Sequence, residues 1–355
     1  ICGIEASDIV KAARWFGGSS ASLSMYCQGL NQSAHGTHNN AGIIHLHLAT
    51  GQIGKPGAGP FSLTGQPNAM GGREVGGLSN LLSAHRDLGN PAHRAEMARF
   101  WGVPFVPSKP GKSAVDLFKS LKTGEIKAVW IACTNPAQSL PNQAAVREAL
   151  QTAEYVVLQE AYGNTDTADY ADLLLPASGW GEKHGTVTNS ERRITRVLPA
   201  VQAPGEARHD WEIVVDFARR LGQKLDHAGA AKLFPYADAE AIFNEHREST
   251  RGRDLDITGL SYALLESEGP QQWPYPEGAS SGKVRLYEDG RFPTPDGRAR
   301  FVAIEHLPTA DVPAADTPIS LLSGRMRDHW HGMSRTGTVP RLFNLEDEPL
   351  LTMHP

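Results

Sequence analysis

Ser323 to Thr338 reads S-G-R-M-R-D-H-W-H-G-M-S-R-T-G-T, which packs Arg325, Arg327, Arg335, His329, His331 and Trp330 among several hydroxyls. A guanidinium is a planar fork that donates two parallel hydrogen bonds to one anion, so this set suits a phosphate or a small oxyanion. His329 and His331 would share a face on a strand, as a metal pair might require. No third ligand is near, so hydrogen bonding to a ligand is the reading and no metal site is assigned.

Asp172 to Arg193 is equally dense: D-L-L-L-P-A-S-G-W-G-E-K-H-G-T-V-T-N-S-E-R-R. An apolar run ends at Pro176 and is expected to deliver Glu182, Lys183, Asn189, Arg192 and Arg193 beyond a strand's carboxyl end. Open α/β sheets bind ligands at that edge. By spacing alone, a solvated charged loop is an equal reading. A third stretch, Gly51 to Gly77, holds nine glycines with Lys55 and Arg73. Glycines let backbone N–H groups approach an anion, but a long structural connection has the same composition.

Common nucleotide signatures fail. Gly111-Lys112-Ser113 resembles the end of a phosphate-binding loop, but Val106 stands where its first glycine belongs. No G-x-G-x-x-G opens a helix after a strand. Charged residues are 21% and hydrophobic residues 40%, as in ordinary globular chains. The net charge of −5 argues against a nucleic-acid partner. No apolar run reaches the roughly 20 residues of a membrane span. Cys2, Cys27 and Cys133 are too few and scattered for a disulfide framework or a four-cysteine cluster. A cytoplasmic, reducing compartment fits them, with Cys27 and Cys133 as small core residues.

These residues need a scaffold. A helix is expected over 8–16, capped by Ser7 or Asp8, with Ile9, Ala12, Ala13 and Phe16 on one face. A strand over Ser20–Cys27, a polar run over Gln28–Asn40 and a helix over Asn40–Thr50 follow. The unit repeats as strand Ala128–Cys133, turn Thr134–Pro141, helix Gln143–Ala153, strand Tyr155–Leu158 and a short strand Leu173–Leu175. Trp211, Val214, Phe217, Ala218 and Leu221 stripe another helix. This alternation predicts an α/β fold whose mostly parallel sheet carries helices on both faces. Lys283–Tyr287 and Arg298–Val302 are expected to form a hairpin, and Ile319–Leu322 to begin a new strand. The expected domains are 1–225, the α/β domain; 226–316, an irregular connection; and 317–355, the truncated start of a β-barrel. Both ends read as cut, so an internal fragment is expected.

Four runs, taken together, resemble the molybdopterin oxidoreductase family, which includes dimethyl sulfoxide reductase, formate dehydrogenase and bacterial nitrate reductases. They are Q-G-L-N-Q, G-K-P-G-x-G-P-F-S-L-T-G-Q, L-L-P-A-x-x-W-G-E-K-x-G-T-x-T-N-S-E-R-R and S-G-R-M-R-D-H-W-H-G-M-S-R-T-G. The last two most resemble the assimilatory nitrate reductases. The resemblance implies a full-length enzyme that reduces nitrate to nitrite at a bis(molybdopterin guanine dinucleotide) molybdenum centre. It implies electrons from a 4Fe-4S cluster, fed by ferredoxin, flavodoxin or an NADH-flavoprotein.

Carried onto matching positions, the resemblance places Gln28 and Gln32 on the pterin. Asn135, Gln159, Glu160, Lys183 and Asp210 would hold the guanosine dinucleotide. Relatives often have Ser-Asp where this chain has Gln159-Glu160, so that contact departs from the pattern. Ser323, Gly324, Arg325, His329, Trp330 and His331 would wrap the cofactor, and Arg325, Arg327 or Arg335 would guide nitrate. The iron–sulfur cysteines and the metal-ligand segment have no counterpart here, so the piece alone is expected to be inactive. Formate oxidation within the same family, or a pterin- or nucleotide-binding module without redox chemistry, stays open.

Overall fold

The computed structural model describes residues 3–353 except 228, 310, 311, 323, 325, 330–332, 334, 335 and 346–349. Its strands are β1 Leu23–Tyr26, β2 Gly59–Ser62, β3 Leu81–Leu82, β4 Arg86–Asp87, β5 Ala128–Ala132, β6 Tyr155–Glu160, β7 Leu173–Pro176, β8 Gly185–Thr188, β9 Arg193–Val197 and β10 Gln271–Gln272. Its helices are α1 Ala6–Gly18, α2 Gln28–Asn31, α3 Gly36–Ala49, α4 Ala69–Glu74, α5 Pro91–Trp101, α6 Ala114–Lys122, α7 Pro136–Ser139, α8 Gln143–Thr152, α9 Asp210–Lys224, α10 Ala230–Leu233, α11 Ala239–Ser249, α12 Tyr262–Ser267 and α13 Pro340–Phe343. The chain forms two compact units. The first is Ile1–Lys109, His184–Val197 and Ala237–Val312; the second is Pro110–Lys183, Leu198–Tyr236 and Pro313–Pro355.

In the second unit, β5, β6 and β7 form a parallel sheet in that order. Val129, Trp130 and Ile131 are the β-branched and aromatic residues that pack well on a pleated surface. Alternation sends Ile131, Val156 and Leu158 to one face, where they meet Val146 and Leu150 of α8, with Phe118 of α6 against the same cluster. Burying Val156 and Leu158 contributes roughly 1.5–3 kcal/mol each. Trp130 faces the other way and meets Phe217 of α9 edge to face at 4.8 Å. Helices therefore cover both faces of this sheet, as the alternating pattern predicts. Helix α8 starts at Asn142, whose side chain accepts the Ala145 N–H.

In the first unit, β1 and β2 pair in parallel. Strands β8, β9 and β10 form an antiparallel sheet in the order β10-β9-β8, and β3 pairs antiparallel with β4. Its core joins Ile194 of β9, Phe243 of α11, Tyr262 and Leu265 of α12, and Trp273 with Tyr275.

Several expectations need correction. Parallel pairing occurs, but in two small sheets rather than one mostly parallel sheet, and the β8–β9 hairpin after β7 is antiparallel. Among the described residues no strand covers Ile319–Leu322, and Ile319, Leu321 and Leu322 are largely exposed, so the start of a barrel is not seen. An isolated strand has no ladder partner to satisfy its backbone. The hairpin of 283–287 with 298–302 does not form either: the Lys283 and Val284 carbonyls accept from the Arg192 side chain instead. Helix α1 begins at Ala6 after Glu5, with no side-chain cap and no buried residue. In α9, Ile213 and Val215 are the buried apolar residues, while Val214, Phe217 and Leu221 keep large exposed areas. No helix of the described residues is long and apolar enough to cross a membrane.

Candidate functional site

The carboxyl ends of β5, β6 and β7 carry a linked polar set centred on Asp210. Asp210 is the first residue of α9, after His209 as N-cap. The Glu212 carboxylate accepts the His209 N–H at 3.0 Å, and acids in a first turn complement the helix dipole. Asp210 Oδ1 accepts from Gln159 Nε2 at 2.8 Å and from the Cys133 thiol at 3.5 Å. Asp210 Oδ2 accepts from Lys183 Nζ at 2.9 Å. Residues that end β5, end β6 and follow β7 thus meet on one carboxylate.

The backbone fixes this edge. Cys133 follows β5 in the left-handed region, at φ 59°, and its N–H donates to the Gln159 carbonyl at 3.0 Å. After β7, the Glu182 carboxylate accepts the Gly179 N–H at 2.7 Å. The N–H groups of Ala200 and Val201 both donate to the Gly181 carbonyl. Buried Ser178 bonds His209 Nδ1 at 2.8 Å. Trp180 stays 54% exposed on this pinned turn, with Lys183 Nζ 5.7 Å from its ring centroid.

The charges follow from these contacts. Burial works to raise the Asp210 pKa, but hydrogen bonds from Lys183 and Gln159, with the Lys183 charge, hold it below the ordinary carboxylate value. Burial, then the Asp210 charge and hydrogen bond, push the Cys133 thiol up to about 11. Gln159 is 1% exposed, and its Oε1 has no partner among the described residues. The same holds for the buried indole N–H of Trp211. Buried polar atoms are rarely left unpaired, so each is a place where a ligand can supply the missing bond.

The other expected contacts fall out as follows. Glu160 is buried and accepts its neighbour Ala161's N–H at 2.8 Å. Asn135 Oδ1 accepts from the Thr167 N–H and hydroxyl at 3.1 and 2.6 Å, so its side chain clamps the loop after β6. In the first unit, Gln28 opens α2 just beyond β1, and its Nε2 reaches Gln66 Oε1 at 3.4 Å. Gln32 ends α2, its N–H bonded to the Gln28 carbonyl. Gly324 is exposed, and Arg327 is exposed with an ion pair to Asp328 at 3.1 Å. His329 is buried; its Nδ1 meets Thr336 Oγ1 at 3.0 Å and its Nε2 has no partner among the described residues. Ser323, Arg325, Trp330, His331 and Arg335 lie outside the described residues. Among the described residues no three His, Cys, Asp or Glu side chains group to hold a metal.

The run Asp172–Arg193 is divided. Only its part up to Lys183 stays at the edge of the parallel sheet. Asn189, Arg192 and Arg193 lie in the first unit, at the β8–β9 turn and the start of β9. Arg192 donates to the carbonyls of Trp273, Lys283 and Val284, and Arg193 pairs with Glu191 at 3.2 Å. Their guanidinium groups satisfy protein groups rather than an edge ligand. Two glycines of the rich segment are likewise structural. A Cβ on Gly54 would stand 2.5 Å from the Tyr287 carbonyl oxygen, and one on Gly76 would stand 2.5 Å from the Leu82 backbone. Both have positive φ.

Sequence reasoning missed Cys133 at this edge: it is exposed rather than a core residue, with its thiol against Asp210. It also missed Ser178, His209 and Trp211. His209-Asp210 directly before a striped helix was the readable signal, because first-turn acids mark helix starts.

Residues 11–220 match the family model described as molybdopterin oxidoreductase. The chain is 43% identical over 356 residues to a nitrate reductase of Synechocystis sp., covering 98% of this chain and 49% of that one. It is 39% identical to the periplasmic nitrate reductase of Desulfovibrio desulfuricans, covering 96% of this chain and 47% of that one. It is 37% identical to the assimilatory nitrate reductase catalytic subunit of Bacillus subtilis, covering 98% and 48%. The chain spans about half the length of these relatives.

Proposed function

This chain belongs to the molybdopterin oxidoreductase family, and on that footing we propose that it is the dinucleotide-holding part of an enzyme that reduces nitrate to nitrite. The carrying observation is the convergence of Gln159, Lys183 and Asp210 beyond the parallel strands β5–β7. The donor set fits a guanosine dinucleotide. Gln159 Oε1 is a buried acceptor without a partner among the described residues, suited to a guanine N–H. Lys183 supplies a positive charge at this edge, beside the Asp210 carboxylate.

In this reading Asn135, Gln159, Glu160, Lys183 and Asp210 hold the guanosine end of bis(molybdopterin guanine dinucleotide). Gln28, Gln32 and the segment 323–332 hold the pterin end. Arg327, with Arg325 and Arg335, guides nitrate. When bound, the molybdenum–pterin group supplies the two-electron oxygen-atom chemistry, while these residues bind, orient and neutralise charge. Electrons come through a 4Fe-4S cluster from ferredoxin, flavodoxin or an NADH-flavoprotein. The assimilatory, cytoplasmic form is the finer part of the reading, supported by the W-G-E-K and D-H-W-H-G runs.

The test is made in the full-length protein that contains these residues. Nitrite from nitrate with reduced viologen supports the reading; formate oxidation without nitrate reduction overturns it. Asp210→Ala is expected to lower molybdenum and guanine content together. The 355 residues alone, which span about half of the relatives' length, are expected to give no nitrite.

A further inference from the structure

We propose that Trp180 is the stacking platform for the nucleobase at this edge, with Lys183 and Asp210 setting where the base lies. The inference rests on the proposed function and adds a residue to it. Trp180 follows β7, on the same turn that presents Lys183. A side chain this apolar normally removes its area from water, yet 54% of Trp180 is exposed. The turn that carries it is held by hydrogen bonds while the ring is exposed. The Glu182 carboxylate closes the turn on Gly179 N–H at 2.7 Å, and two backbone donors hold the Gly181 carbonyl.

The chemistry beside the ring points to a flat aromatic ligand. Lys183 Nζ lies 5.7 Å from the indole centroid and 2.9 Å from Asp210 Oδ2, so one ammonium links ring and carboxylate. The same carboxylate takes Gln159 Nε2, which orients the amide and leaves its buried Oε1 as an acceptor without a partner among the described residues. Guanine offers a face to Trp180 and its N1–H to Gln159 Oε1. Guanine carries an N–H on its Watson–Crick edge at N1, where adenine has an acceptor, so the edge favours guanine. Base–aromatic stacking is tolerant of base identity, so Trp180 contributes affinity and Gln159 contributes choice.

The experiment titrates the 355-residue chain with GMP and AMP by calorimetry, alongside Trp180→Ala and Trp180→Phe, with circular dichroism to verify folding. The wild type is expected to bind GMP more tightly than AMP. Trp180→Ala is expected to lose about tenfold in GMP affinity and Trp180→Phe to keep most of it. The GMP-dependent quench of tryptophan emission is expected to shrink in Trp180→Phe despite retained binding. If GMP binds wild type and a folded Trp180→Ala equally, the stacking role is overturned while the reading of the edge stands. If neither nucleotide binds the folded wild type, the nucleotide-binding reading fails and the stacking role falls with it.

Discussion

Lys183 Nζ and Asp210 Oδ2 lie 2.9 Å apart across 27 residues of sequence, joining the turn after β7 to the first residue of α9. The Asp210 pKa is held down in the fold, so its contribution to stability is present above the unfolded value of about 3.9 and is lost as pH falls through the lowered native value. Asp210→Asn is expected to cost about 1 kcal/mol at pH 7, since the pair is only partly buried. Urea unfolding from pH 7 to pH 2.5 checks this. A gap between wild type and variant that does not narrow in acid would contradict it.

Cys133 is expected to be a slow nucleophile despite its exposure, because its thiol is pushed up to about 11. In a chain with Cys2 and Cys27 changed to serine, alkylation by iodoacetamide should rise about tenfold per pH unit between pH 7 and 9. Asp210→Asn should speed the reaction at pH 8 by removing one anion. A plateau below pH 9 would show an activated thiol instead.

Arg192 ties the β8–β9 turn to residues 273–284 through three carbonyl acceptors. Arg192→Ala is expected to cost about 2–3 kcal/mol by leaving those groups without their charged donor. Arg192→Lys should recover little, because one ammonium does not reproduce the guanidinium fork. Denaturant unfolding measures both. If Arg192→Ala instead kept full stability and lost GMP affinity, the residue would belong to a ligand site.

Glu74 is 3% exposed and accepts from the Thr188 hydroxyl and the Trp273 indole N–H. Burial raises its pKa, against the lowering effects of those two hydrogen bonds and the His85 charge. The stability linked to this shift is therefore present below the unfolded value of about 4.3 and is lost as pH rises through the raised native value. Glu74→Gln, which does not ionise, should gain on wild type in thermal melts between pH 4 and pH 8. Parallel melting curves across that range would refute the shift. Glu74→Ala should cost about 2 kcal/mol at pH 4, because it strands the Trp273 N–H, and less at pH 8, where wild type has lost the linked stability.

Much of the second unit was legible in advance. The apolar runs Ala128–Cys133 and Tyr155–Leu158 were expected as strands, and strands β5 and β6 of the parallel sheet cover Ala128–Ala132 and Tyr155–Glu160. The resemblance placed Gln159, Lys183 and Asp210 on one ligand, with Gln159 departing from the family's pattern, and in the fold these three side chains meet. The helix over Trp211–Leu221 was legible too, but not its buried face. Periodicity reports that a stripe is apolar, whereas what covers it depends on neighbours distant in sequence.

The division of Asp172–Arg193 was not legible. Lys183 and Arg192 are cations nine residues apart in one polar run, and composition treats them alike. The fold separates them: Lys183 meets a carboxylate at a sheet edge, while Arg192 is consumed by three carbonyls from residues 273–284. The sequence by itself determined the residue types, the local strand and helix periods and the family, because these are written in adjacent residues. Only the tertiary structure decided which charges are spent on the protein and which stand at the edge. That depends on long-range hydrogen-bond partners, and a buried polar group takes whichever partner the packing supplies.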